Sequence, residues 1–352
     1  MKEADLYRTV GNDRVKCLAC ARFCQVGEGQ IGLCGIRQNI GGKLFLLAYG
    51  KLFTGHIDPI EKKPVTHYHP GTKIFSVATS GCSWLCFYCQ NYDISQRRKI
   101  EGMDIEPDVV SKLAKEQGCQ GIAYTYNEPT IFMEFARDIG VEAHRKGLFN
   151  IFVSNGFATP ESVSEMGKFL DCITVDFKGS GERNFVRKYI GIPGAEPILQ
   201  TLKEIKSKTK MHVEVTDLIV PSVGDSLDEA KKLSRWIVDN LGPDTPIHFL
   251  RFHPDYKMMN FPSTPVKTLE AHHKVAKDEG LRYAYLGNVP GHPLENTYCP
   301  ECKQIVVNRY GYEIIGWHMN EENECGYCGA QISIEGKLAS TAGEERFLPA
   351  YF

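Results

Sequence analysis

The stretch Gly81-Cys82-Ser83-Trp84-Leu85-Cys86-Phe87-Tyr88-Cys89-Gln90-Asn91 decides how this chain is read. Three cysteines fall in a Cys-x3-Cys-x2-Cys spacing, directly after a strand-like run, Ile74-Phe75-Ser76-Val77-Ala78, and a Thr79-Ser80-Gly81 turn. So tight a loop aims three thiolates at one point. Thiolate is the ligand of iron–sulfur clusters, and three of them suit three irons of a [4Fe-4S] cluster. The fourth iron then has no protein ligand and is open to a small chelating molecule. A zinc knuckle or a plain buried cysteine group is the other reading of the spacing, but zinc sites usually present four ligands. Tyr88, just before the last cysteine, is placed to shield a cluster or to touch a nucleoside.

Working outward, 352 residues allow two or three domains, and 42% hydrophobic content is ordinary for a chain with a sizeable core. The formal net charge of -2 gives no reason to expect nucleic acid or a membrane surface as partner. No apolar run approaches the roughly 20 residues that span a bilayer, and Met1-Lys2-Glu3-Ala4-Asp5 lacks a secretory apolar core. Thirteen cysteines, mostly in close-set groups, point to metal sites in a reducing cytoplasm rather than to disulfides.

Residues 1–66 form a cysteine-rich segment, Cys17-x2-Cys20-x3-Cys24-x9-Cys34, with glycines around Cys34 that let the backbone fold tightly. So short a segment does not easily bury a core of its own, which favours a metal staple. The spacing leaves zinc and an auxiliary [4Fe-4S] cluster both open, with four metal-free reduced cysteines as the remaining reading. Lys43 to Leu52 reads as a strand pair with a turn, and Asp58-Pro59-Ile60-Glu61-Lys62-Lys63-Pro64 as a linker into the core.

Residues 67–292 repeat one pattern: a short β-rich run, a polar turn, a helical stretch. The apolar runs are 74–78, 121–126, 150–154, 172–177, 212–220, 247–252 and 281–286, with helices expected near 106–117, 130–146, 159–168, 195–209, 226–241 and 266–279. Thr159-Pro160-Glu161 and Ser226-Leu227-Asp228-Glu229 carry capping residues and first-turn acids. Alternating β and α elements imply an α/β fold with a parallel sheet. Six or seven strands point to an open, incomplete (β/α)6-type barrel, with functional residues at the C-terminal strand ends. Residues 293–352 hold Cys299-Pro300-Glu301-Cys302 and Cys325-Gly326-Tyr327-Cys328, two Cys-x2-Cys knuckles around a β-hairpin spanning 305–315. That is a zinc-ribbon pattern, with a rubredoxin-like iron as the minor alternative.

The Cys82–Cys89 loop resembles the signature of the radical S-adenosylmethionine (SAM) superfamily. That resemblance implies that Cys82, Cys86 and Cys89 hold a [4Fe-4S] cluster whose open iron binds the amino and carboxylate groups of SAM, and that an electron from it splits SAM into methionine and a 5′-deoxyadenosyl radical. Tyr126-Asn127-Glu128-Pro129-Thr130 resembles the superfamily's Gly-Gly-Glu-Pro segment, with Asn127 in place of a glycine. Glu128 would then receive the SAM ammonium, or else serve only as a first-turn acid of a helix. Val153-Ser154-Asn155-Gly156 resembles the Asp-Thr-Asn-Gly of glycyl-radical activating enzymes, with Val153 in the aspartate's place. Ser154 and Asn155 still offer hydrogen bonds to methionine or ribose; the plainer reading of Asn155-Gly156 is a tight turn. Asp176-Phe177-Lys178 matches the same activases' Asp-x-Lys, with both charged side chains on one strand face; a surface ion pair is the alternative. Val220 is expected against adenine, and His253 stands where activases carry a SAM-contacting histidine; a substrate contact and a plain strand cap are the other readings of His253.

Taken together, the N-terminal cysteines, residues 60–64, 126–130, 252–256 and 287–292, and the C-terminal ribbon resemble the AmmeMemoRadiSam-system radical SAM enzymes, relatives of pyruvate formate-lyase activating enzyme. That likeness implies an electron donor such as ferredoxin or flavodoxin, and partners of the Memo and AMMECR types. The competing function class is an iron–sulfur and zinc protein for electron transfer or scaffolding, without SAM cleavage.

Overall fold

The computed structural model describes residues 1–349. Its central sheet contains seven parallel strands whose spatial order follows the chain: β1 (Lys73–Ala78), β2 (Gly121–Tyr124), β3 (Phe149–Ser154), β4 (Cys172–Lys178), β5 (His212–Ile219), β6 (Ile247–Arg251) and β7 (Ala284–Gly287). All seven match the apolar runs of the sequence. They read as unbroken apolar runs because both faces are covered, as parallel sheets require. In β2 and in most of β1, successive residues are buried irrespective of face.

The intervening helices are α1 (Pro107–Glu116), α2 (Met133–Arg145), α3 (Pro160–Met166), α4 (Glu196–Lys208), α5 (Leu227–Asn240) and α6 (Val266–Asp278). Each buries an apolar stripe on the sheet and turns most of its charges outward, Glu134 of α2 being a buried exception. The two expected starts are formed: Thr159 Oγ1 accepts from Ser162 N at 3.1 Å, and Ser226 Oγ accepts from Glu229 N at 3.3 Å.

Two N-terminal expectations need correction. The residues read as a linker close a strand, Thr54–Pro59, that pairs antiparallel with β1 over its whole length. The short strand Leu348–Pro349 then pairs with it on the outer side. The strands Lys43–Leu46 and Lys51–Leu52 exist but do not pair with each other. The first lies between Arg37–Ile40 and Lys2–Glu3, and the second pairs with Met103–Asp104. Their partners are set by tertiary packing, which local pattern does not encode.

The N-terminal segment is anchored by a buried ion pair. Arg37 donates to both carboxylate oxygens of Glu134 on α2, at 3.0 and 2.5 Å, and to the Ile131 carbonyl at 2.7 Å. At the other end, Thr297–Tyr298, Ile305–Tyr310 and Glu313–Trp317 make a three-stranded antiparallel sheet, including the expected hairpin. Its apolar face packs with Tyr283 and Tyr285 of the β7 region. Arg309 crosses from it to donate to the Thr297 hydroxyl and the Thr66 carbonyl. No helix among the described residues is long and apolar enough to cross a membrane.

Candidate active site

The C-terminal ends of the parallel strands surround a cavity of about 730 Å³. The loop after β1 enters it first. Gly81 has φ +88, and a Cβ there would lie 2.3 Å from the Cys34 carbonyl oxygen, so only glycine fits. Beyond it, the loop backbone is pinned from three directions. Leu85 N and Phe87 N donate to the carbonyls of Ile190 and Tyr189, and Lys257 N donates to the Phe87 carbonyl. The Asn127 amide donates to the carbonyls of Thr79 and Gly81, at 2.7 and 2.9 Å. Each such bond contributes about 0.5–1.5 kcal/mol net, and together they fix where the three thiols point. Cys82, Cys86 and Cys89 all line the cavity.

Tyr88 is buried, stacks on Phe185 at 6.0 Å and meets Phe252 edge-on. Burial pushes the Cys86 thiol up to about 12. As free thiols these groups are protonated, and it is metal ligation that makes a thiolate here.

Glu128 follows β2 and is 2% exposed. Its Oε1 accepts from Thr130 N, Thr130 Oγ1 and Ser154 Oγ, and its Oε2 accepts from Asn155 N at 2.7 Å. Burial raises its pKa, with these donors opposing the shift. Glu128 therefore caps the short turn Pro129–Phe132 while also lining the cavity. A carboxylate offers about four acceptor sites; with one donor, Oε2 keeps capacity for another. Asn127 Oδ1 is buried and without a protein partner, a second acceptor beside it.

Asn155 lines the cavity, and its amide donates to the Ser83 hydroxyl at 3.0 Å. Ser154, one residue earlier, faces the other way. Its hydroxyl donates to Glu128 and accepts from Gly156 N, and it is absent from the cavity wall. Asp176 and Lys178, at the end of β4, share the wall as expected and pair at 3.0 Å. Thr216 also donates to Asp176. Burial opposes charge on Lys178, but Asp176 outweighs it and holds the ammonium above its ordinary range. His253 and Arg251 reach the wall from β6. Val220 does not: it is fully buried in the core, its N–H bonded to the Gly224 carbonyl where the chain turns. Leu218 of β5 lines the cavity instead.

Sequence reasoning missed one whole side of the cavity. Lys62 and Lys63, both paired with Asp58, form part of the wall, and so do Arg309, Tyr310 and Tyr312 of the C-terminal sheet. Lys62 and Lys63 arrive with the Thr54–Pro59 strand paired to β1, and Arg309, Tyr310 and Tyr312 arrive only with docking of the C-terminal unit.

The four C-terminal cysteines converge, their sulfurs all within 4.8 Å of one another. The Cys299–Cys328 and Cys302–Cys325 sulfur pairs are 3.6 and 3.7 Å apart. A tetrahedral ion with metal–sulfur bonds of about 2.3 Å needs that spacing, so this group can close on one metal ion. Three thiols of the 82–89 loop, with no fourth cysteine on the same wall, fit instead a cluster with one open iron. Cys119 and Cys172 belong to no group and are buried in the core.

A parallel α/β sheet that brings such a cysteine loop and its polar strand ends to one cavity defines a class, and comparison with known proteins names it. Residues 76–237 match the Radical SAM superfamily, so the chain carries a domain of that superfamily. It is 41% identical over 338 residues to an uncharacterized protein of Methanocaldococcus jannaschii, covering 95% of this chain and 99% of that one. Among solved structures, a radical SAM methyltransferase from Sphaerobacter thermophilus shares the fold with a TM-score of 0.50 at 13% identity, over 62% of this chain and 66% of that chain. A domain of a pyruvate-formate lyase-activating enzyme from Bacteroides vulgatus aligns with a TM-score of 0.41 at 17% identity, over 48% of this chain and 99% of that domain. Superfamily membership implies an enzyme that cleaves SAM with an iron–sulfur cluster and draws on an electron donor.

Proposed function

We propose that this enzyme binds SAM at Cys82, Cys86 and Cys89 and abstracts hydrogen from a substrate held in the same cavity, in an activase-like reaction within an AmmeMemoRadiSam system. One observation carries the reading: the three thiols, Glu128, Asn155, Asp176 and Lys178 line one cavity at the C-terminal strand ends. A scaffold or electron carrier has no use for acids and a cation gathered around three cysteines. When bound, a [4Fe-4S] cluster supplies the electron for reductive SAM cleavage.

The chain's own residues have separate tasks. Asn127 and the Tyr189–Ile190 carbonyls hold the cysteine loop. Oε2 of Glu128 and Oδ1 of Asn127 accept from the SAM ammonium. Lys178 faces the carboxylate, and Asp176 accepts from ribose hydroxyls. Ser154 positions Glu128, and Leu218 takes the adenine contact first expected of Val220. His253 lies further along the wall, toward the substrate. Tyr88, stacked on Phe185, excludes water from the cluster side.

The reading assigns residues 1–66 to a metal-binding segment, 67–292 to the catalytic core as an incomplete barrel, and 293–352 to a structural zinc ribbon. The ribbon's four ligands leave no open position for chemistry. The electron donor is of the ferredoxin or flavodoxin kind, the partners are Memo-type and AMMECR-type proteins, and the compartment is the cytoplasm.

The test is anaerobic reconstitution with SAM and dithionite, comparing the native chain with a Cys82→Ala/Cys86→Ala/Cys89→Ala variant. The native chain is expected to yield 5′-deoxyadenosine and the variant none. Product formation by the variant would overturn the reading.

A further inference from the structure

Cys86 and Tyr88 line the cavity, but Leu85 and Phe87 beside them do not, and both are partly exposed. The cysteine loop therefore has an outer face. Its back is closed: Cys17, Cys20, Cys24 and Cys34 pack behind it around a void of about 10 Å³, room for about one water. There Arg22 Nε donates to the Ser83 carbonyl at 3.0 Å. Its inner side is the cavity itself. On the outer face only the loop separates the three thiols from solvent.

Three elements frame that face, and hydrogen bonds tie each to the loop. The turn 186–190 accepts from Leu85 N and Phe87 N on its last two carbonyls. In the segment 255–257, Lys257 N donates to the Phe87 carbonyl, and Lys257 Nζ lies 5.2 Å over the Phe87 ring. In the segment 91–101, the Ile94 carbonyl accepts from Gly81 N, and Gln96 Nε2 donates to the Trp84 carbonyl. Together these elements carry six exposed cations, Arg97, Arg98, Lys99, Arg187, Lys188 and Lys257, in a chain whose net charge is -2. Their three acids are engaged: Asp93 accepts from Ile94 N, Asp255 accepts from Tyr256 N, and Glu101 pairs with Arg97. Among the described residues, only Arg97 of the six cations has a carboxylate partner. On the outer helices the pattern is the reverse: Lys112–Glu116, Lys168–Glu165, Lys232–Glu229 and Lys274–Asp278 pair along their helices. Tyr92, 44% exposed, stacks on Tyr256 at 4.7 Å beside the cations. Unpaired cations among exposed aromatics make a surface that attracts an anionic partner.

We propose that this outer face is the docking surface for a small acidic protein that carries one electron. Seated over Phe87 and ringed by the six cations, the carrier delivers its electron across the loop to the cluster at Cys82, Cys86 and Cys89, leaving the cavity to SAM and substrate. The carrier is oxidised by one electron and the cluster reduced by one; no bond or proton is exchanged. The destination of the electron rests on the proposed function; the docking itself does not.

Calorimetry on the reconstituted full chain tests the surface without SAM, using a flavodoxin and a ferredoxin, each of net negative charge. At least one is expected to bind one to one, and more weakly at high salt. Arg187→Glu/Lys188→Glu, which alters exposed side chains alone, is expected to raise Kd about tenfold or more. Lys112→Glu/Lys115→Glu on α1, the same charge change elsewhere, is expected to leave Kd within about twofold. No binding by either carrier, or equal weakening by both variants, overturns the proposal. Loss of RNA-oligomer binding in Arg187→Glu/Lys188→Glu, with carrier binding unchanged, gives the face to nucleic acid and overturns it too. Formation of 5′-deoxyadenosine follows the electron. With the reduced carrier it is expected to fall about tenfold in Arg187→Glu/Lys188→Glu; with dithionite, which needs no docking, it is expected to match the native chain. An equal fall with both reductants overturns the docking role. A native chain that forms no product even with dithionite defeats the proposed function, and calorimetry still decides the surface.

Discussion

Glu128 shows how one residue serves structure and chemistry together. Its carboxylate anchors Thr130, Ser154 and the Asn155 N–H, and one acceptor position remains toward the cavity. Hydrogen bonds to charged groups contribute roughly 1.5–3 kcal/mol. Glu128→Gln is therefore expected to weaken SAM binding about tenfold to a hundredfold, measured by calorimetry on reconstituted protein with unchanged iron content. Unaltered affinity would leave Glu128 with its capping task alone. Of the residues read from sequence, Glu128, Asn155, Asp176, Lys178 and His253 all line the cavity, because the C-terminal ends of parallel strands and the loops that follow them gather at one end of the sheet. Ser154 and Val220 do not, because a side chain at a strand terminus follows the local turn: the 154–156 turn directs Ser154 to Glu128, and the bond from Val220 to Gly224 ends the alternation.

At the level of elements, the cysteine loop depends on glycine more than on its neighbours. Gly81→Ala would put a left-handed φ on a residue that resists it, costing roughly 1–2 kcal/mol, and would drive a methyl into the Cys34 carbonyl. A lower unfolding temperature together with reduced iron uptake is expected; full iron content with a native melting curve would refute the contact. Strands β1 to β7 were legible because a parallel sheet buried on both faces writes long apolar runs. Thr54–Pro59 was not, because Thr-Gly-His-Ile-Asp-Pro carries little β signal, and its place comes from pairing with β1.

Across the whole molecule, a buried carboxylate couples the core to the C-terminal unit. Glu214 on β5 accepts from Thr66, His67, His212 and His248, and His212 also meets Glu335 at 3.0 Å. Burial opposes charge on His212, but the two carboxylates override it and raise its pKa to about 9. A histidine raised in the folded state stabilises fully below its ordinary value near 6.5. That contribution, on the order of 3 kcal/mol at most, is lost as pH rises through about 9. Urea midpoints should fall between neutral and alkaline pH in the native chain and lose that slope in His212→Gln; equal slopes would dismiss the coupling. Cys299→Ser/Cys325→Ser is expected to release one equivalent of zinc and loosen the Arg309–Tyr312 wall, read as faster hydrogen exchange over 297–317.

Arg346 carries an implication for how the chain is made. Its guanidinium is buried against Glu61, 2.7 Å away and 285 residues earlier. A buried charge stripped of its partner costs about 3–5 kcal/mol. On the ribosome Glu61 emerges long before its counter-ion, so the edge of the sheet beside Thr54–Pro59 cannot settle until residue 346 has been made and has left the exit tunnel. Nascent chains stalled before residue 346 should be cut readily by protease around 54–66, and chains released after it should resist.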